Sequence, residues 1–284
     1  MREEMSGLEI ISLVTELKNL VGCRVQKIYH TRDEILIHLY SAKTREKTLR
    51  MVPGKTMHLT EYKREHPTYP SHFCMYLRKY LTGGVVRYVI QPATERIVKI
   101  GFHTDKDRVL VVELFSKGNV ILCDGDTIMQ PLKVQVWKDR AIKSKEKYIL
   151  PPSKYDISTL KLNEFKAAID ATEKSDIVRC LAVDLGLGGP YAEECCKRAG
   201  VPKSKAVDDL TVEQSRKLHS SLVSMVNEAR KPKGYVFLKG TPIDVVPIEM
   251  ESYAGLTKKQ FQTFNEALDF YFINYVVSEI EKVD

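Results

Sequence analysis

Near the start of the chain, Leu8, Ile11, Val14, Leu17 and Val21 recur at helical spacing, and Gly22 follows where a helix should end. Ser6 and Glu9 precede that run at capping-box spacing, each side chain able to accept from the other's backbone amide. Alternating, β-rich segments come next at residues 24–29, 34–40 and 48–52, closed by Pro53-Gly54 as a turn. A helix is predicted over 71–81, with Phe73, Leu77 and Leu81 four apart, stopping before Gly83-Gly84. Strand patterns return at 85–91, 97–102, 109–115 and 120–123. Two helices and about seven strands predict an α+β domain over residues 1–150, a sandwich or half-barrel with flanking helices.

Pro151-Pro152 marks a boundary, and from there to residue 231 the pattern is helical. Within this second unit, LAVDLGLGGPYAEECCKRAGV brings an apolar helix end to Gly186, Gly188 and Gly189, after which Pro190 opens another helix. This is the layout of a helix-hairpin-helix, whose turned-out amides can hold a nucleic-acid phosphate. An ordinary tight αα turn needs the same glycines, and Glu193 and Glu194 close by would compete with a phosphate. The third unit, 232–284, has short strands at 235–238 and 243–246. A strongly apolar helix then starts near Lys258, carrying Phe261, Phe264, Leu268, Tyr271 and Tyr275, for the core or for a coiled-coil partner or self-association.

Composition changes this picture in one respect. The net charge of +7 is unevenly spread: residues 1–150 hold 26 Lys and Arg against 17 acids, and residues 151–284 hold 18 against 20. The basic excess belongs to the first domain as a diffuse patch, fitting either a polyanionic partner or a solubilising surface. No apolar run reaches the roughly 20 residues of a membrane span, and MREEMSGLEI has no signal-peptide core. Six cysteines at scattered positions, without CxxC pairs, read as reduced thiols in a cytoplasmic protein.

Candidate chemistry is sparse. The chain has no G-x-S-x-G, P-loop or dinucleotide motif, and its histidines have no partners at metal-ligand spacing. No cofactor is expected. Glu95-Arg96 sets a carboxylate beside a guanidinium at a strand start, a pair that also suits a surface ion pair worth under about 1 kcal/mol.

Several stretches, in order, resemble the NEMF/RqcH family of ribosome-associated quality-control factors: ELKNLVGCRVQKIYH, PSHFCMYLRKYLTGG, QPATERIV, ELFSKGNVILCD, LGLGGPYAEECCKRAG, GTPIDVVPIEMESYAG and FNEALDFYF. The resemblance spans nearly the whole chain and implies an N-terminal piece of an archaeal-looking factor that continues into a coiled coil and a C-terminal RNA-binding domain. It implies a first domain similar to the N-terminal domain of formamidopyrimidine-DNA glycosylases, followed by their helix-hairpin-helix-like module. Those enzymes use an N-terminal Pro nucleophile, whereas this chain starts Met1-Arg2-Glu3. The missing proline argues against glycosylase chemistry, although a Lys could form a Schiff base with an abasic site; a glycosylase or lyase acting on DNA lesions stands as the rival reading, and a coiled-coil scaffold as a third.

The resemblance further implies a non-enzymatic factor that binds the stalled large ribosomal subunit with its peptidyl-tRNA. It would recruit tRNA, alanyl-tRNA in the prokaryotic case, so that the nascent chain gains an alanine tail. The family's Asp/Asp/Arg set for tRNA falls on Glu9, Glu95 and Arg96, with both acids one methylene longer here. Arg78, Lys79 and Arg87 are further candidates for backbone phosphates, with solvated surface as the plain alternative.

Overall fold

The computed structural model describes residues 4–31, 34–63, 68–152 and 155–280, and side-chain surroundings as far as residue 273. Of the residues named above, Tyr275 has its side chain outside that description. The first helix, α1 (Gly7–Leu17), forms as its pattern requires, with the Ser6–Glu9 capping box complete. Its burial goes beyond an amphipathic helix, since all its residues except Thr15 are buried. Ile10, Leu13, Val14 and Leu17 face one core, and Leu8 and Ile11 face another.

The first core lies within a nine-stranded antiparallel sheet of β1 (Arg24–His30), β2 (Ile35–Ser41), β3 (Arg45–Val52), β4 (Thr56–Thr60), β5 (Val85–Ile90), β6 (Ile97–His103), β7 (Asp107–Glu113), β8 (Asn119–Asp124) and β9 (Thr127–Pro131). The order is β4-β3-β2-β1-β5-β6-β7-β8-β9, and the two meanders meet where Arg24 of β1 pairs with Val85 of β5. Residues from both meanders, with α1 and α2 (His72–Leu81), share that core. Strand alternation sorts the remainder: Leu110 and Val112 point into it, whereas Val109 and Val111 meet Ile121, Ile128, Ile142 and Tyr148 on the sheet's other face. A short hairpin of β10 (Gln135–Val136) and β11 (Ala141–Ile142) covers that second face. The sequence reading missed β4, β9 and this hairpin, all of them short.

The second core joins α1 to α3 (Leu162–Asp170), α4 (Ile177–Arg179) with the π-helical turn Cys180–Asp184 that continues it, α5 (Gly189–Ala199) and α6 (Val212–Ala229). A three-stranded sheet follows, with β12 (Gly234–Lys239) between β13 (Thr241–Val246) and β14 (Thr257–Phe261). Here the expected helix from Lys258 is corrected. Residues 257–261 pair with β12 from Leu238↔Thr257 to Gly234↔Phe261, and helix α7 (Phe264–Ile280) begins only after them. The Thr263 hydroxyl caps its first turn by accepting from the Glu266 amide at 3.1 Å. Glu16 of α1 accepts from the Phe264 amide at 2.6 Å and the Asn265 amide at 3.0 Å.

Phe264, Leu268 and Tyr271 are buried in this chain's own first core, so the described part of that apolar face is already filled. The helix also covers β4, the edge strand: the Leu59 amide donates to Asn265 Oδ1 at 2.7 Å and the Glu61 amide to Asp269 Oδ2 at 3.0 Å. Among the described residues no helix is long and apolar enough to cross a membrane.

Two consequences can be measured. Glu16→Ala strands buried amide donors at the start of α7, and urea unfolding should show a loss of about 1–3 kcal/mol. Asp269 gives the pH dependence its sign. Burial works to raise its pKa, but the His58 side chain, the Thr60 hydroxyl and the Glu61 amide outweigh burial and hold it below the ordinary value. That stabilisation is present above the unfolded-state value, near pH ~4, and is lost as pH falls. Asp269→Asn should flatten the fall of the urea midpoint below about pH 4.

Candidate functional site

Glu9, Glu95 and Arg96 converge on the start of α1. The loop between β5 and β6, residues 91–96, lies against that helix end so closely that a Cβ on Gly7 would stand 2.2 Å from the Thr94 carbonyl oxygen. The Gln91 side-chain amide ties the two together, donating to the Gly7 carbonyl at 2.9 Å and the Glu95 carbonyl at 2.8 Å. Ala93 adopts a left-handed φ of +48° inside this tight loop. The Ile157 amide donates to Thr94 Oγ1 at 3.2 Å, adding a third tie from the following segment.

Arg96 leaves this loop with its guanidinium placed but open. Nη1 donates to Glu4 Oε2 at 2.6 Å, with side-chain exposures of 41% and 45%. The guanidinium carbon lies 5.8 Å from the centroid of the Phe115 ring, and the Arg96 carbonyl accepts from the Leu114 amide at 2.8 Å. An exposed pair of this kind is worth under about 1 kcal/mol, so a phosphate can replace Glu4 at little cost.

The turn that carries Phe115 is itself fixed. Gly118 has a φ of +61°, and a Cβ there would stand 1.8 Å from the Gly54 nitrogen, so the β3–β4 and β7–β8 turns stack backbone on backbone. The Gly54 amide donates to the Glu113 carbonyl at 3.0 Å.

Glu95 is half-buried beside Arg96, and among the described residues its carboxylate has no bonded partner. Glu9 is in the same neighbourhood but differently used. It is 1% exposed, one oxygen completing the capping box at 2.9 Å from the Ser6 amide and the other accepting from the Tyr191 hydroxyl at 2.5 Å. A carboxylate enclosed in this way faces the protein interior and joins α1 to α5.

Through Tyr191 the glycine turn is drawn to the same junction. Gly186 and Gly188 have φ of +69° and +77°, which only glycine takes without strain, while Gly189 starts α5 with open space around it. The Leu187 and Gly188 amides donate back to the Leu181 and Ala182 carbonyls, each at 3.1 Å. Glu193 pairs with Lys203 at 3.0 Å. Glu194 turns inward to Arg198 and to the Glu251 and Ser252 amides, whose hydrogen bonds hold its pKa low against burial.

The remaining cations are placed elsewhere. Arg78 donates through Nε to the Ile28 carbonyl at 2.8 Å and lies over the Tyr29 ring, which makes it a brace for β1. Lys79 is exposed beside Tyr80, and Arg87 is exposed on β5. α2 leads into the far end of β5, roughly 20 Å of strand from Gln91, so Arg78 and Lys79 are not gathered with Arg96.

Two other features hold no visible chemistry. All six cysteines are buried, and burial pushes the Cys196 thiol up to about 11 and Cys123 to about 12. A cavity of about 630 Å³ beside Arg198 and Glu228 has that arginine already bonded to Glu194, Glu228 and the Glu249 carbonyl. Among the described residues no group of three His, Cys, Asp or Glu could hold a metal ion.

The family profile described as NFACT N-terminal and middle domains matches residues 6–282. The chain belongs to the NFACT family. Among curated NFACT relatives, the archaeal Rqc2 homolog aRqcH of Methanocaldococcus jannaschii is 36% identical over 299 residues, covering 99% of this chain and 44% of the relative. The Rqc2 homolog RqcH of Bacillus subtilis is 27% identical over 69% of this chain and 37% of its own length. The chain thus spans less than half the length of the curated relatives it matches. The fibrinogen binding protein of Staphylococcus aureus shares the fold, with a TM-score of 0.76, 21% identity, and coverage of 94% of this chain and 98% of that one.

Glu4, Gly7, Gln91, Phe115 and Tyr191 complete the candidate site and were not singled out from the sequence, although QPATERIV, ELFSKGNVILCD and LGLGGPYAEECCKRAG contain three of them. Gly7 offers a test by sign. Alanine is ordinarily better than glycine inside a helix by about 1 kcal/mol, yet Gly7→Ala must push the 91–96 loop away. Thermal melting should show it destabilised. A gain in stability would show that the contact between Gly7 and Thr94 is not tight.

Proposed function

We propose that this chain is the RNA-binding part of a ribosome-associated quality-control factor, without catalytic chemistry of its own, and that it binds tRNA through the Arg96 corner. The observation that carries this is Arg96 itself: a half-exposed guanidinium held by Phe115 and a rigid loop, paired among the described residues only with the exposed carboxylate of Glu4. The surplus of positive charge in residues 1–150 supports a polyanionic partner. The names of the relatives support the setting, since they include archaeal and bacterial Rqc2 homologs and ribosome quality control complex subunits.

In this reading the stalled large subunit carries peptidyl-tRNA and is itself the peptidyl transferase. The factor's part is to hold the incoming tRNA, alanyl-tRNA in the prokaryotic manner, so that the nascent chain gains a C-terminal alanine tail. Arg96 donates to a phosphate or a terminal base. Glu95 lies beside it to accept from a ribose hydroxyl or base amine. Glu9 acts through structure, keeping α1 and α5 in register under the site, and the glycine turn offers the Gly186 and Gly189 amides to a second backbone phosphate, the Gly188 amide being held by the Ala182 carbonyl.

Arg96→Ala is the test. Removing an exposed side chain should leave the melting temperature nearly unchanged, while tRNA affinity falls about tenfold and the salt dependence of binding loses about one phosphate's contribution. In the longer factor the same substitution should abolish tailing of stalled chains. Normal tRNA binding and normal tailing by a folded Arg96→Ala protein would refute the assignment. A covalent adduct trapped by borohydride on abasic DNA would instead favour the glycosylase or lyase reading.

A further inference from the structure

The basic charge of the first domain is not spread evenly over its surface. Residues 133–150 hold six Lys and Arg (Lys133, Lys138, Arg140, Lys143, Lys145, Lys147) against two acids, Asp139 and Glu146. They form the β10–β11 hairpin and the segment that follows it. The same stretch exposes the chain's single tryptophan: Trp137 is 48% exposed, and Val134 and Val136, just before it, are each 67% exposed.

A frayed loop could expose such residues by accident, but this hairpin is tied down at every turn. Asn119, fully buried, donates to the Lys133 carbonyl at 2.7 Å and accepts from the Lys133 amide at 3.1 Å. The Trp137 amide donates to the Arg140 carbonyl at 2.7 Å. Arg140 pairs with buried Glu113 and donates through Nε to the Ile149 carbonyl at 2.8 Å. The Tyr148 hydroxyl donates to the same Glu113 at 2.9 Å. Beneath, Ile142 and Tyr148 are packed into the core on the sheet's second face. The indole is therefore held out on a rigid support.

Its surroundings are specific. The Arg140 guanidinium carbon lies 5.5 Å from the Trp137 ring centroid. Lys143 pairs with Glu146 and Lys147 with Asp126, whereas Lys138 and Lys145 make no ion pair among the described residues. The hairpin is also continuous with the Arg96 corner. Glu113, which anchors Arg140, is the cross-strand partner of Ile97, and Lys133 Nζ donates to the Lys117 carbonyl in the turn that carries Phe115.

We propose that this hairpin is a second nucleic-acid contact, in which an unpaired base of single-stranded RNA stacks on the Trp137 indole while Lys133, Lys138 and Lys145 take the flanking phosphates. An aromatic face among unpaired cations suits such a strand, because every base has a π-face and every linkage a phosphate. A duplex offers phosphates without a free base face. The inference rests on the RNA-binding reading above and adds to it the class of RNA and the residue that recognises it.

Because the chain has one tryptophan, its intrinsic fluorescence reports on this hairpin by itself. Titration of the 284-residue chain with a single-stranded ten-nucleotide oligouridylate should quench that emission, with a midpoint that weakens as salt rises. An RNA duplex of ten base pairs should quench far less. Binding of fluorescently labelled oligouridylate, read by anisotropy, should weaken about tenfold in Trp137→Ala and recover largely in Trp137→Phe. Circular dichroism melting checks that both variants are folded.

Oligouridylate that binds without quenching, and equally well to Trp137→Ala, would overturn the hairpin contact while leaving the RNA-binding reading intact. Failure of both oligouridylate and tRNA to bind at low salt would overturn the two together. Equal quenching by the duplex would rule out base stacking. Quenching by oligoglutamate and not by RNA would assign the face to an acidic protein and overturn the proposal.

Discussion

Everything in this fold leans on a helix that is buried on nearly every side and still carries two carboxylates. α1 has apolar residues for two cores, and its acids lie one at each end, Glu9 and Glu16. An ionised group taken out of water is costly unless donors surround it. Each acid is met by donors from a different, distant part of the chain: Glu9 by the Tyr191 hydroxyl of α5, and Glu16 by the opening amides of α7. The need to satisfy two buried charges thus fixes where the helical unit and the terminal helix can dock. The end that Glu9 steadies is the wall against which the Arg96 loop is built.

How much of this was legible in the sequence depended on whether the signal was local. The Ser6–Glu9 box, the strand alternation of residues 97–102 and 109–115, and the glycine turn at 186–189 were all readable, because caps, pleats and left-handed turns are set by neighbouring residues. The late helix shows the opposite case. Phe261, Phe264 and Leu268 suggested one continuous helix, and backbone pairing with β12, a long-range interaction, turned residues 257–261 into a strand. A local sign was nevertheless there: Thr263 and Glu266 stand at the spacing that opens α1.

The site was legible by residue more than by role. Glu9, Glu95 and Arg96 do gather at one corner, together with the glycine turn, but sequence could not tell a presented carboxylate from an enclosed one. Tyr191 lies 182 positions from Glu9, and nothing near either residue announces their contact. Glu4 and Phe115, which place the Arg96 guanidinium, are likewise far apart in the chain. Charge behaved similarly: a count by halves located the basic domain, while the six cations in the stretch that carries the exposed indole become informative only once the hairpin is seen to be rigid.

The covering of β4 by α7 has a consequence for how the chain can be divided. β4 is the last strand of its meander, and bare strand edges invite a second copy to add itself to the sheet. Asn265 and Asp269 occupy the very amides that such a copy would need. A version cut after the basic domain would lose the donors that meet Glu9 and Glu16 and would bare this edge, a ready template for self-assembly into sheet oligomers. A unit able to remain a single molecule therefore has to reach past Asp269, into the second turn of the helix that covers this edge.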